Sequence, residues 1–183
     1  MTSSETSALA AELAAFGHAC PEHDEDVAHF LSLLEGDENP FLRENLVGHF
    51  TGSAWLVNGS GTHVLLTHHR KLNRWLQLGG HADGDTLLSR VALREAEEES
   101  GLSGLQLVPG IFDLDCHLIP ARHAEPAHFH FDVRYVVRTS GNEAFAASEE
   151  SHALAWRDIR EIAADPVLDE SLRRMARRWL SLP

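Results

Sequence analysis

Cysteine is scarce in this chain of 183 residues, which holds two, Cys20 and Cys116, far apart in sequence. That excludes a disulfide framework and fits a reducing, cytoplasmic setting. Long apolar runs are missing too. None approaches the roughly 20 residues that a membrane-spanning helix needs. The first residues also lack the basic segment followed by an apolar one that marks a secretory leader. Basic residues are outnumbered, 15 Lys and Arg against 28 Asp and Glu, for a formal net charge of −13. Such a surface repels nucleic-acid polymers and anionic membranes as broad partners. An anionic small molecule would then need local help from a metal or an arginine. There is no internal repeat and no low-complexity linker. With 43% hydrophobic residues, the chain can bury a substantial core as one domain with room for an added segment.

What the sequence does contain is organised around Gly79 to Leu102, GGHADGDTLLSRVALREAEEESGL. It reads as a helix with Asp85 placed to cap the start and Gly101 placed to end it. At roughly 100° per residue, Leu88, Val91, Ala92, Glu95, Glu98 and Glu99 share one face. The first half of that stripe is apolar and faces a core; the second half is three carboxylates. Buried carboxylates are costly without a positive partner, and a divalent cation is the simplest one. Mg²⁺ and Mn²⁺ prefer such oxygen ligands and leave positions for water or substrate phosphates.

The same stretch resembles the box of the Nudix hydrolases. Gly80 fills its first position, and Arg94, Glu95, Ala96, Glu98, Glu99, Gly101 and Leu102 fill its last block. Thr86 stands where the family has its first Glu, and Leu78 stands where it often has Pro. The resemblance implies an α+β fold, an α/β/α sandwich around a mixed sheet. Residues 1–46 would be a helical N-terminal extension, 47–183 the hydrolase domain, and the C-terminus a further helix. It implies a metal-dependent hydrolase that cleaves a phosphoanhydride bond in a nucleoside diphosphate linked to another moiety, with Mg²⁺ or Mn²⁺ as cofactor. Glu95, Glu98 and Glu99 would hold the metal. Glu98, Glu99, Arg94 and Glu150 are the catalytic candidates, Arg94 reaching Glu98 four residues on, and Glu150 lying on a loop before a later strand. Thr86 supplies a hydroxyl but no charge. Two other readings stay open: a ligand-binding module without turnover, favoured by Thr86, and a prenyl diphosphate isomerase. The latter needs a cysteine in the pocket, and Cys116 is expected to face away from it.

The rest of the chain reads around this box. Residues 1–46 are expected to be helical, with Leu9, Leu13 and Phe16 on one face and Val27, Phe30, Leu31 and Leu34 on another. Thr6 or Ser7 and Asp24 are candidate caps, and Gly17, Pro21, Gly36 and Pro40 are punctuation. The layer would pack on the domain or on a second subunit, which leaves a homodimer open. A hairpin is expected at 49–57 and 63–67 around Asn58-Gly59-Ser60-Gly61, where Asn-Gly tolerates positive φ. The loop His68, His69, Arg70, Lys71, Arg74 is a basic cluster in which Arg70 or Arg74 could hold substrate phosphates. Residues 75–78 form a short strand into Gly79-Gly80, a pair suited to close approach to a ligand or to the helix.

Residues 111–119 and 127–138 alternate as strands. One polar face carries Ile111, Asp113, Asp115 and His117, the other His128, His130, Asp132 and Arg134. Asp115, His117, His128, His130 and Asp132 could ligate a transition metal, line a substrate pocket, or simply bond to one another. A strand at 153–156, a short helix at 157–163 and a helix at 169–182 complete the chain. In the last, Leu172, Met175, Ala176 and Trp179 face inward, with Arg173, Arg174, Arg177 and Arg178 mostly opposite.

Overall fold

A seven-stranded mixed sheet forms the centre of the computed structural model, which describes residues 3–36, 38–70, 73–122, 126–141, 143–146 and 151–182. The fully buried strand β1 (Gly48–Val57) runs parallel to β6 (His128–Arg138), from Gly48 opposite Phe129 to Val57 opposite Arg138. On its other edge β1 pairs antiparallel first with β4 (Leu78–His81) and then with β2 (His63–His69). Beyond β2 lie β3 (Arg74–Leu76) and β7 (Ser151–Asp158), and beyond β6 lies β5 (Gln106–Ile119). The expected strand at 75–78 is therefore two strands: the chain leaves β2's edge as β3 and joins β1's edge as β4.

The β1–β2 turn falls where expected, but its chemistry differs. The left-handed residue is Gly61 (φ 70°), not Asn58 or Gly59. The Asn58 side-chain carbonyl instead accepts the Thr62 and His63 N–H groups at 3.0 and 3.1 Å. The alternation at 111–119 is also interrupted. Ile111 opposes Tyr135 while Asp113 opposes Arg134, so Phe112 is the extra residue of a bulge. Ile111 therefore packs on one core, and Phe112 on the other, while Asp113 turns to the polar face.

Helices cover both faces. On one side α1 (Ser3–Ala19), α2 (Asp24–Leu34) and α3 (Leu88–Ser100) bury Leu13, Phe30, Val91 and Ala92 against Phe50, Phe131 and Val133 of the sheet. On the other, α4 (Ile159–Ala164) and α5 (Glu170–Ser181) bury Ile162, Leu172 and Met175 against Trp55, Leu66 and Phe112. Helix is not continuous through residues 1–46. α1 runs through Thr6, Ser7 and Gly17, a 3₁₀ turn spans Pro21–His23, and Asp24 is the first residue of α2 rather than its cap. After Leu34 the chain turns, because Asn39 and Asn45 side chains take the N–H groups of Phe41 and Val47 that a helix would have used.

Two of the α5 arginines face inward, contrary to expectation. Arg174 reaches Asp113, and Arg178 lies over the rings of Phe16 and Phe112, 5.1 and 5.7 Å from their centroids, while donating to Cys20 Sγ at 2.8 Å. Asp169 caps α5 by accepting the Ser171 N–H.

α3 begins at Leu88, three residues later than the expected Asp85 cap. Asp85 instead accepts the Leu87 N–H at 2.9 Å and is clamped by Nε and Nη2 of Arg90. It ends as expected on Gly101 (φ 67°), whose N–H returns to the Glu97 carbonyl. What lets α3 sit against β1 is Gly52. A Cβ there would stand 2.7 Å from the Leu88 carbonyl oxygen and 3.0 Å from Val91 Cβ. Gly52→Ala should therefore force helix and strand apart and cost about 1–3 kcal/mol, the usual range for overpacking. Chemical denaturation measures it, and an unchanged midpoint would contradict this packing.

Candidate functional site

The acidic end of α3 lies against β4 at Gly79 and Gly80. The Gly79 N–H donates to Glu99 at 2.9 Å. Gly80 faces Glu95 so closely that a Cβ would stand 2.5 Å from the carboxylate carbon. Arg94 donates to Glu95 at 2.9 Å and to the His81 carbonyl at 3.2 Å. The expected bond from Arg94 to Glu98 is thus replaced by one to its neighbour, because the His81 carbonyl and Glu95 lie on the same side of the guanidinium. Glu95 holds the Arg94 guanidinium more firmly protonated than usual. Glu98 is exposed, and Thr86 is half-buried in the loop before α3. That loop is fastened by a two-bond pair between Arg43 and Asp83 at 2.6 and 2.7 Å.

The opposite face of the same strands is polar and divides in two. At one end, three aspartates meet two arginines. Arg134, 2% exposed, donates to Asp132 and Asp113 at 2.8 and 3.0 Å and pairs with Asp115 at 3.2 Å. Arg174 adds a fork on Asp113 at 3.0 and 2.7 Å. Asp132 also accepts from Thr51, Ser53 and Gln77. Burial alone would raise the Asp115 pKa, but the His117 hydrogen bond and the Arg134 charge outweigh it and hold it well below the usual carboxylate range. Asp115 and Asp132, expected as candidate ligands, are consumed by this network.

At the other end, histidines gather. His117, His128 and His130 come from the expected strand pair. His49 of β1 and His81 of β4 join them, two residues that sequence reasoning did not single out. The His130 ring centroid lies 4.8 Å from that of His81 and 4.9 Å from that of His49. Burial, then the positive Arg43 and neighbouring rings, lowers the His81 pKa to about 4. Burial and then His81 and His49 push His130 far down as well. Burial thus favours the neutral forms of His49, His81 and His130.

The remaining expectations fall apart from both clusters. Arg74 pairs with Asp169 at the start of α5, at 3.2 Å, and Arg70 sits exposed in the turn after β2. Lys71 and Glu150 lie outside the described residues. Cys116 packs toward the α1–α3 core, away from the polar face as expected, and burial pushes its thiol up to about 11. Among the described residues, no helix is long and apolar enough to cross a membrane.

The buried ion network is the rigid part of this face. Arg134→Leu would leave Asp113 and Asp132 buried without their central cation. The expected loss is about 3–5 kcal/mol by chemical denaturation. A loss below about 1 kcal/mol would show that the aspartates do not depend on it.

A family model described as the NUDIX domain matches residues 49–179. No curated protein matches the chain. Among solved structures, a Nudix-family hydrolase from Clostridium perfringens is 24% identical with a TM-score of 0.54, covering 72% of this chain and 95% of that one. The E. coli dihydroneopterin triphosphate pyrophosphohydrolase is 17% identical with a TM-score of 0.58, covering 70% and 92%. A C. elegans Ap4A hydrolase is 14% identical with a TM-score of 0.53, covering 72% and 95%. At these identities the structures speak to the fold, a mixed sheet with helices on both sides. The family model spans most of the chain and includes the glycine, arginine and glutamates assembled between β4 and α3. The chain belongs to the Nudix family.

Proposed function

We propose that this enzyme hydrolyses a phosphoanhydride bond in a nucleoside diphosphate linked to another moiety, using the carboxylates of α3 and Mg²⁺ or Mn²⁺. The observation that carries the reading is the seating of Glu95 and Glu99 on Gly80 and Gly79. There Glu99 takes a backbone N–H, and Glu95 fills the space that a side chain on Gly80 would occupy. The donor set suits a hard divalent cation, since Glu95, Glu98 and Glu99 offer only carboxylate oxygens, at i, i+3 and i+4. Bound there, the cation would offset diphosphate charge and lower the pKa of a water.

The protein groups have separable tasks. Arg94 holds the Glu95 carboxylate through one bond and anchors itself to the β4 backbone through the other. The Gly79 N–H fixes Glu99. Glu98, exposed at the same end of the helix, is the carboxylate assigned to accept the proton of the attacking water. Water adds to phosphorus, the bridging P–O bond breaks, and the leaving phosphate departs with the electron pair. In a protein of net charge −13, the diphosphate relies on the cation rather than on a basic surface.

A phosphate-release assay over a panel of nucleoside diphosphate derivatives, run with Mg²⁺ and with Mn²⁺, tests the reading. Glu99→Gln should abolish turnover with the fold intact by circular dichroism. Glu98→Gln should lower kcat about 10²–10⁴-fold, the range for losing a general base. Unchanged hydrolysis in the Glu99 variant would remove the assignment.

A further inference from the structure

The histidines on the far side of β4 have no task in that chemistry. Alternation along the strand puts Gly80 toward α3 and His81 toward the opposite face. There His49, His81 and His130 each offer a ring nitrogen, and these three atoms lie within 4.8 Å of one another. They come from three neighbouring strands. His130 sits directly opposite His49, and His81 opposite Thr51, two residues along β1. The sheet thus fixes the positions of all three, which is what a precise site requires.

His49 gives the second, independent sign. It is 2% exposed, and its Nε2 is buried with no hydrogen-bond partner. A buried polar atom left without a partner is costly. Its Nδ1 points at the Asn45 carbonyl, 3.5 Å away. With the proton on Nδ1, the lone pair on Nε2 faces the cluster, the arrangement of a metal-ligating histidine with an outer carbonyl partner. Around the three, the same pattern recurs. His128 turns Nδ1 to the Pro126 carbonyl at 2.9 Å and holds Nε2 3.4 Å from His130 Nε2; His117 turns Nδ1 to Asp115 at 3.0 Å. Two nitrogens on one tetrahedral zinc stand about 3.3 Å apart at ordinary bond lengths. From separations within 4.8 Å, the three nitrogens would close by up to roughly 1.5 Å to reach that.

We propose that His49, His81 and His130 bind one transition-metal ion of the Zn²⁺ class, at a site separate from the α3 carboxylates and across β4 from them. An all-imidazole donor set selects Zn²⁺ and its transition-metal neighbours over Mg²⁺, Ca²⁺ and Mn²⁺. Three protein ligands leave a fourth position for water or another ligand.

The test uses the full chain, stripped with chelator and titrated with Zn²⁺ by calorimetry in excess Mg²⁺, which keeps the hard-ion site occupied. One equivalent should bind, and Zn²⁺ should raise the melting temperature. His81→Gln and His130→Gln should each weaken Zn²⁺ binding more than about 100-fold, beyond the 10–100-fold cost of losing only an outer partner. Glu99→Gln should leave Zn²⁺ binding intact, so failure here is distinguishable from failure of the hydrolase assignment. Absence of Zn²⁺ binding by the wild type would overturn the proposal. So would binding that survives both histidine substitutions or that disappears with Glu99→Gln. Should the histidine variants misfold, Co²⁺ added to the wild type decides. Intense visible bands of a tetrahedral nitrogen-rich site support the proposal, and the weak spectrum of an octahedral ion overturns it.

Discussion

The whole arrangement rests on the close approach of β4 to α3 across Gly79 and Gly80. A helix that carries acids on its buried stripe is unfavourable unless those acids find donors or cations. Here the backbone itself supplies the first donor, from Gly79 to Glu99, and the missing Gly80 side chain leaves space for Glu95. Arg94 closes the group by joining Glu95 to the β4 carbonyl next in line. Glu95 and Glu99 are thereby seated on β4, as the apolar half of α3 is seated over Gly52.

Because β4 is registered on β1, the same pairing also decides what happens on the other face. His81 opposite Thr51 and His49 opposite His130 put imidazoles from three strands together. A few residues along the strands, Arg134 draws in Asp113, Asp115 and Asp132. Charged groups in this low-dielectric layer are tolerated because each is paired or forked. The aspartates of this face are neutralised by arginine. His49, His81 and His130 are left with ring nitrogens toward one another.

Much of this was legible in the sequence, and the rest was hidden for identifiable reasons. The apolar-then-acidic stripe of α3, its Gly101 stop and the alternation from His128 to Tyr135 depend on local periodicity, and each matches the structure. Contacts made by distant segments were not legible. Nothing near His49 announces that β1 lies parallel to β6, so the partnership of His49 and His81 with His130 could not be read from spacing. The sole signals were a His at the start of β1 and another directly after Gly79-Gly80. The bulge at Phe112 moved Ile111 off the face assigned to it. The inward turn of Arg174 follows from three aspartates on β5 and β6 that one arginine cannot satisfy. Glu98 lost its expected partner because Arg94 found a backbone carbonyl nearer to Glu95.

The most direct measurement is Mn²⁺ affinity and hydrolysis in Gly80→Ala. The nearest atoms that the added methyl would meet are those of the Glu95 carboxylate, the far end of a flexible side chain, so the fold should keep nearly its full stability while the carboxylate is pushed out of place. The account predicts a melting temperature close to that of the parent, with Mn²⁺ binding and turnover both sharply reduced. Wild-type Mn²⁺ affinity and turnover in that variant would contradict it.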